Sequence, residues 1–283
     1  MNLSKAVITA AAPSQRALPL QSVVDRDGAP QSVLSLLVAE AVAAGAGDVC
    51  IVIHPGDEAA YRAAVGDAGN VQFVTQPAPR GYGHALWCAR DFAEGEPFLH
   101  LVGDHLFLGD PGEPIAAQIA RAAREADGAV SGVQPTRESL LPYFGTIGGR
   151  RVPGTQDRFL IEQVIEKPTP TEAEQTLLVP GLRAGGYLCF MGTHVLTPLV
   201  LELLDRHIAA ADASDHANIQ LSPVLNELAE REQYLAVAVR GRRFPLDLRY
   251  GMLWAQLALA LSGGDRDEVL AGLCDLLAQR EMK

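Results

Sequence analysis

Lysine is almost missing from this sequence. Only Lys5, Lys167 and Lys283 occur in 283 residues, against 34 acidic residues and a net charge of −11. That balance argues against general nucleic-acid binding, which needs a cationic surface to displace counterions. A polyanionic small ligand would have to be met by local cations or a metal against an acidic background field. Cysteine is sparse too: Cys50, Cys88, Cys189 and Cys274 are widely spaced within apolar segments. They suggest neither a disulfide framework nor a CxxC metal site, and a reducing cytoplasm is the expected setting. The short apolar run within Met1 to Ala12 reads as a strand, too short for a signal peptide or a membrane span. No membrane partner is expected. No repeat or low-complexity segment is present.

The 48% hydrophobic content is enough for one large domain, or one domain with a small appendage. From Lys5 to Val133, short β-branched runs alternate with Ala/Leu-rich stretches of helical period, the pattern of βαβ units. Strands are expected at Ala6 to Ala11, Asp48 to His54, Val71 to Thr75, Phe98 to Val102 and Ala129 to Gln134. Helices are expected at Ser32 to Ala44, Glu58 to Val65, Gly83 to Phe92 and Ile115 to Ala126. Continuously apolar strands such as Val49 to Ile53 imply a parallel sheet covered on both faces, a doubly wound α/β fold. The later half is more mixed. A hairpin is expected around Gly145 to Gly149, strands near Phe159 to Ile165, Tyr187 to Phe190 and Tyr234 to Val239, and helices at Thr197 to Ala210 and Ile219 to Glu230. Residues 1–250 are expected to form the main domain and 251–283 a C-terminal helical pair that packs against another subunit in a homo-oligomer.

Ligands of such sheets bind beyond the carboxyl ends of the strands, so the loops after Ala12, Thr75 and Val102 should converge. The run Gln76-Pro77-Ala78-Pro79-Arg80-Gly81-Tyr82-Gly83-His84-Ala85 follows a strand and opens a helix. Its Gln76 amide offers the donor and acceptor needed to read a pyrimidine edge; the bland alternative is a tight strand-to-helix turn. Leu101-Val102-Gly103-Asp104-His105 ends an apolar strand in a carboxylate, where Asp104 is either a Mg²⁺ ligand or a turn aspartate. In Ile161-Glu162-Gln163-Val164-Ile165-Glu166-Lys167-Pro168, Glu166 could accept from sugar hydroxyls while Lys167 meets a phosphate, or the two could form a surface ion pair. Ala184-Gly185-Gly186-Tyr187 places glycines where a backbone must approach something closely. His105 beside Asp104 is a candidate ligand or base and His84 a candidate nucleotide contact, the bland reading of His84 being a turn residue that opens a helix. His54, His100, His194, His207 and His216 show no zinc-ligand spacing, and Trp87 and Trp254 read as core or interface residues.

Taken together, QPAPRGYGHAL, LVGDH, EQVIEKPTPTEAE, AGGY and NIQLSPVLNELAE resemble the bacterial UTP:glucose-1-phosphate uridylyltransferase branch of the sugar nucleotidyltransferases, over nearly the whole chain. The Glu-Lys-Pro run is the most specific of these. The resemblance implies a mixed Rossmann-like sheet of the nucleotide-diphospho-sugar transferase type and a reaction of UTP with a sugar 1-phosphate, giving a UDP-sugar and pyrophosphate. It further implies nucleotide contacts at Ala11, Ala12, Gln76, Gly81 and Gly103, Mg²⁺ at Asp104, a sugar pocket at Gly145, Glu166 and Gly185, and phosphate contacts by Arg16 and Lys167.

Three departures stand out. The family's glycine-rich G-x-G-T-R loop is Ala12-Pro13-Ser14-Gln15-Arg16 here, so only the arginine survives, and Pro13 removes a backbone donor. The lysine that follows in the family has no counterpart, Arg26 being the nearest substitute. The family's second metal aspartate aligns with Pro245, and Asp247 takes its place only with a shift of two residues, which keeps a strand side chain on one face. A catalytically impaired homologue that binds a sugar nucleotide as a regulatory or partner subunit is therefore the alternative reading.

Overall fold

The computed structural model describes residues 1–66, 68–211 and 218–281. His216 and Lys283 lie outside these. The chain begins with β1 (Lys5–Thr9), a short ribbon of β2 (Ser22–Val24) and β3 (Pro30–Ser32), then α1 (Val33–Ala43), β4 (Asp48–Ile53), α2 (Glu58–Val65) and β5 (Asn70–Thr75). There follow α3 (Tyr82–Trp87), α4 (Arg90–Ala93), β6 (Phe98–Val102), β7 (His105–Gly109), α5 (Ile115–Ala126), β8 (Ala129–Arg137) and, after a 3₁₀ turn at Glu138–Tyr143, β9 (Gly145–Arg151). The remainder is β10 (Arg158–Glu166), α6 (Pro170–Thr176), β11 (Gly186–Leu196), α7 (Leu199–Ala211), α8 (Leu221–Arg231), β12 (Tyr234–Ala238), β13 (Gly241–Pro245), α9 (Gly251–Ser262) and α10 (Arg266–Glu281).

Nine strands form one mixed sheet in the order β5-β4-β1-β6-β11-β8-β12-β10-β9. β1 runs parallel to both β4 and β6, whereas β11 is antiparallel to β6 and β8. The alternation of strand side chains splits the apolar residues into two cores. Ile8, Val49, Ile51 and Leu101 pack on α1 and α5, while Val7, Cys50, Val52 and Phe98 face α3, α7 and α8. The sheet is thus covered on both faces, as expected from its continuously apolar strands.

The hairpin expected around Gly145 to Gly149 is formed by consecutive strands: these residues belong to β9, which pairs antiparallel with β10 across a bulge between Ile161 and Gln163. The glycines allow close approach, since a Cβ at Gly148 would lie 2.7 Å from the Thr176 carbonyl. One expectation needs correction. The helix expected from Gly83 to Phe92 is two short ones, broken at Cys88 and Ala89.

Local chemistry accounts for several boundaries. Ser32 caps α1 by accepting from the Ser35 amide, and Thr169 with Glu172 forms a capping box on α6, led by Pro170 at its first turn. α9 begins beyond Tyr250 and buries Ala255 and Leu259 in the α1-side core, whereas α10 packs on α9 with no buried side chain among its described ones. Among the described residues, no helix is long and apolar enough to cross a membrane.

Candidate active site

At the carboxyl ends of β1 and β6 lies a cavity of about 430 Å³. Its lining brings together Ala11, Ala12, Gln76, Gly81, Gly103, Asp104, Gly145, Glu166, Lys167 and Asp247, residues far apart in sequence. Arg16 and Gly185 do not line it. The Arg16 guanidinium turns to His54 Nδ1 at 2.8 Å and to Asp57 at 3.4 Å. Gly185 sits in the turn before β11, where its carbonyl accepts from the Glu138 amide. Arg26 is also engaged elsewhere, donating to the Gly109 carbonyl at 3.2 Å.

The nucleobase end is built from the turn into α3. Gly81 has φ of +98°, and a Cβ there would meet the Ile219 carbonyl at 2.6 Å and the Asn218 side chain, so glycine is required for steric reasons. Gln76 is buried at the end of β5, donating to the Gly81 carbonyl at 3.0 Å and lying 3.0 Å from His84 Nδ1. Gly103 lets the two central strands close together, because a Cβ there would lie 2.8 Å from the Thr9 carbonyl.

Asp104 ends the turn between β6 and β7. Its carbonyl accepts from the Leu246 amide at 2.9 Å, and Pro245 pairs with His105 in the β7–β13 ribbon. That pairing carries Asp247 to the same cavity, where one carboxylate oxygen accepts from Gln15 Nε2 at 3.0 Å. His105 Nδ1 donates to one Asp104 oxygen at 2.8 Å, and the imidazole is packed against Phe107 and Phe144. Burial works to raise the Asp104 pKa, but the neighbouring His105, its hydrogen bond and the charge of Lys167 hold it below the usual carboxylate value.

The sugar end is a tight cluster. Ser222 Oγ donates to Glu166 Oε2 at 2.5 Å, and a Cβ on Gly145 would lie 3.0 Å from that oxygen and from the Phe190 ring. Lys167 follows with φ of +50°, an uncommon backbone state for a residue with a side chain. Its amide donates to the Phe144 carbonyl at 3.2 Å, and its ammonium stands 3.8 Å from Glu166 Oε1. Phe144 is in turn held by the buried Arg243, whose guanidinium stacks 3.6 Å from the ring centroid and donates to the Cys189 carbonyl. Sequence reasoning did not find Ser222, Tyr82, His194 or Arg243. Ser222 lay within a quoted motif, but only the docking of α8 on β10 shows what it touches.

The donor set suits a hard divalent cation. Asp104 and Asp247 each commit one oxygen to a side-chain neighbour, and one or two carboxylates completed by substrate phosphates are what Mg²⁺ usually takes. Among the described residues, no three or more His, Cys, Asp or Glu side chains converge into an all-protein metal cage.

Residues 19–244 match the nucleotidyl transferase family. The chain belongs to that family. Among curated relatives, this nucleotidyl transferase is 24% identical to the UTP–glucose-1-phosphate uridylyltransferase of Bacillus subtilis (strain 168), over 98% of each chain. It is 27% identical to that organism's UTP–glucose-1-phosphate uridylyltransferase YngB, over 77% of this chain and 67% of the relative. Among solved structures it superposes on a UDP-glucose pyrophosphorylase complexed with UDP-glucose, with a TM-score of 0.74 and 18% identity, covering 91% of this chain and 98% of the other. The UTP-bound UGPase from Acinetobacter baumannii gives a TM-score of 0.73 at 20% identity, covering 96% and 99%. These structural likenesses establish the nucleotidyltransferase fold.

Proposed function

We propose that this nucleotidyl transferase joins UTP to a sugar 1-phosphate, glucose 1-phosphate being the first candidate, and releases pyrophosphate. The observation that carries the reading is the cavity whose lining includes Gln76 and Gly81, Asp104, and Gly145, Glu166 and Lys167 together. In this reading Gln76 and the Gly81 backbone hold the pyrimidine, Glu166 with Ser222 holds the sugar hydroxyls, and Lys167 faces the sugar phosphate. Asp104 and Asp247 would hold Mg²⁺, which supplies charge neutralisation to the reacting phosphates. The sugar phosphate oxygen attacks the α-phosphorus in line and pyrophosphate leaves, so the protein's contribution is positioning and electrostatic stabilisation, with no covalent intermediate.

A second reading, a sugar-nucleotide-binding homologue without turnover, is favoured by Arg16. Its guanidinium is paired with His54 and Asp57 off the cavity wall, and Pro13 stands where the triphosphate loop needs a backbone donor. Calorimetry with UTP and with UDP-glucose separates the two. Binding of both supports the transferase; UDP-glucose binding without UTP binding supports the second reading; binding of neither ends both. The free cysteines, with Cys50 and Cys189 buried as thiols, support a reducing cytoplasm. The exposed Leu253, Trp254, Leu276 and Leu277 on α9 and α10 support self-association through these helices.

A further inference from the structure

We infer that His194 is a ligand-binding residue at the sugar end of the cavity, its Nε2–H donating to a hydroxyl oxygen of the bound sugar; this rests on the functional reading above. His194 stands on β11 just past a bulge between Phe190 and His194. Gly192 within it has φ of +81°, and a Cβ there would lie 2.5 Å from Val102. Strand alternation puts the imidazole on the face it shares with Phe190, the α3/α8 side of the sheet, where it lines the cavity while only 3% exposed. The ring is fixed on two sides. It stacks on His100 with centroids 5.9 Å apart and planes 14° apart, and meets Phe190 edge-on at 5.0 Å.

The protons can be counted. Tyr234 is fully buried, and its hydroxyl reaches the Ser131 hydroxyl, which lies 2.5 Å from His194 Nδ1. If Nδ1 carried the proton and donated to Ser131, either the Ser131 hydrogen or the phenolic hydrogen of Tyr234 would be left without an acceptor, a costly buried orphan. The opposite polarity satisfies all three groups: Tyr234 donates to Ser131, Ser131 donates to Nδ1, and the neutral imidazole carries its hydrogen on Nε2. Burial pushes His194 well below its ordinary pKa and so favours the neutral ring. Among the described residues, no protein group accepts from Nε2.

The position identifies the acceptor. Phe190 touches the His194 ring and also lies against the Gly145, Glu166 and Ser222 cluster, so the free donor is one ring away from the Glu166 carboxylate. A second polar atom shares that wall. His100 Nδ1 donates to the Val7 carbonyl at 3.0 Å, so its bare Nε2 accepts the Tyr82 hydroxyl hydrogen at 2.6 Å, and the Tyr82 oxygen is left as an acceptor. A donor and an acceptor in the lining of one cavity complement a hydroxyl group.

The test is calorimetry of UDP and UDP-glucose with the wild-type protein and with His194→Phe, which keeps the ring and removes the donor. UDP-glucose affinity is expected to fall about tenfold while UDP affinity is unchanged. Equal losses for both ligands would assign the contact to the nucleotide and overturn the proposal, as would no loss for either. Wild-type protein that binds UDP but not UDP-glucose would instead overturn the functional reading. Because His194→Phe can perturb the core, NMR of the histidine ring nitrogens in the wild-type protein provides a second measurement. The proposal expects the Nε2–H tautomer in the free protein and a shift of that nitrogen with UDP-glucose but not with UDP; an Nδ1–H tautomer contradicts it.

Discussion

Ser222 Oγ donates to Glu166 Oε2 at 2.5 Å, tying the first turn of α8 to the last residue of β10. The bond fixes the carboxylate that faces the sugar and uses one of its two oxygens. Ser222→Ala is therefore expected to raise KM for the sugar 1-phosphate about tenfold, with KM for UTP unchanged. Ser222→Thr, which keeps the hydroxyl, should restore most of the loss. Steady-state kinetics with each substrate varied in turn checks this, and equal changes in both KM values would show a general structural effect.

Among the described residues, Lys167 is the one lysine on the cavity wall, held by its positive φ and by the bond from its amide to the Phe144 carbonyl. Lys167→Ala removes the ammonium while leaving Glu166 bonded to Ser222. Sugar-phosphate affinity should fall at least tenfold and nucleotide affinity should change little, read by calorimetry with each ligand alone.

Gly81 is a structural requirement before it is a ligand contact. Gly81→Ala would place a methyl group 2.6 Å from the Ile219 carbonyl at a φ of +98°. A loss of about 2 kcal/mol or more in stability is expected, measured by denaturant unfolding, together with weaker nucleotide binding as the Gln76 contact shifts.

The first half of the fold was legible where an apolar strand is followed by a helix of clear period, as in Val49 to Ile53 before Glu58–Val65. The β7–β13 ribbon was not. β7 follows β6 after a two-residue turn, and β13 reads Gly-Arg-Arg-Phe-Pro, too charged and too short to stand out, yet it is this ribbon that carries Asp247 to Asp104's side of the cavity. The site's order along the chain was readable from motifs, whereas Ser222 and His194 act through contacts between distant elements. Arg16 shows the converse, a motif residue whose side chain faces Asp57 instead of the cavity.

His100 and His194 make stability depend on pH. Burial lowers His100 to about 4 and His194 well below its ordinary 6.5, so the unfolded chain binds protons that the folded one refuses. Stability is then complete above about pH 6.5 and falls as the pH drops from there toward 4, by about 1.4 kcal/mol per pH unit for each histidine. The thermal midpoint should fall between pH 7 and 5, and His194→Phe should remove about one of the two protons from that dependence. An unchanged slope in the variant would contradict the buried neutral state.

The most direct measurement is pyrophosphate release from UTP and glucose 1-phosphate in the presence of Mg²⁺, with the wild-type protein and with Asp104→Ala. The account predicts turnover in the wild type and its loss in the variant, with UDP-glucose still bound by both. No release from the wild type with any nucleoside triphosphate and sugar 1-phosphate pair, or release undiminished in Asp104→Ala, would contradict it.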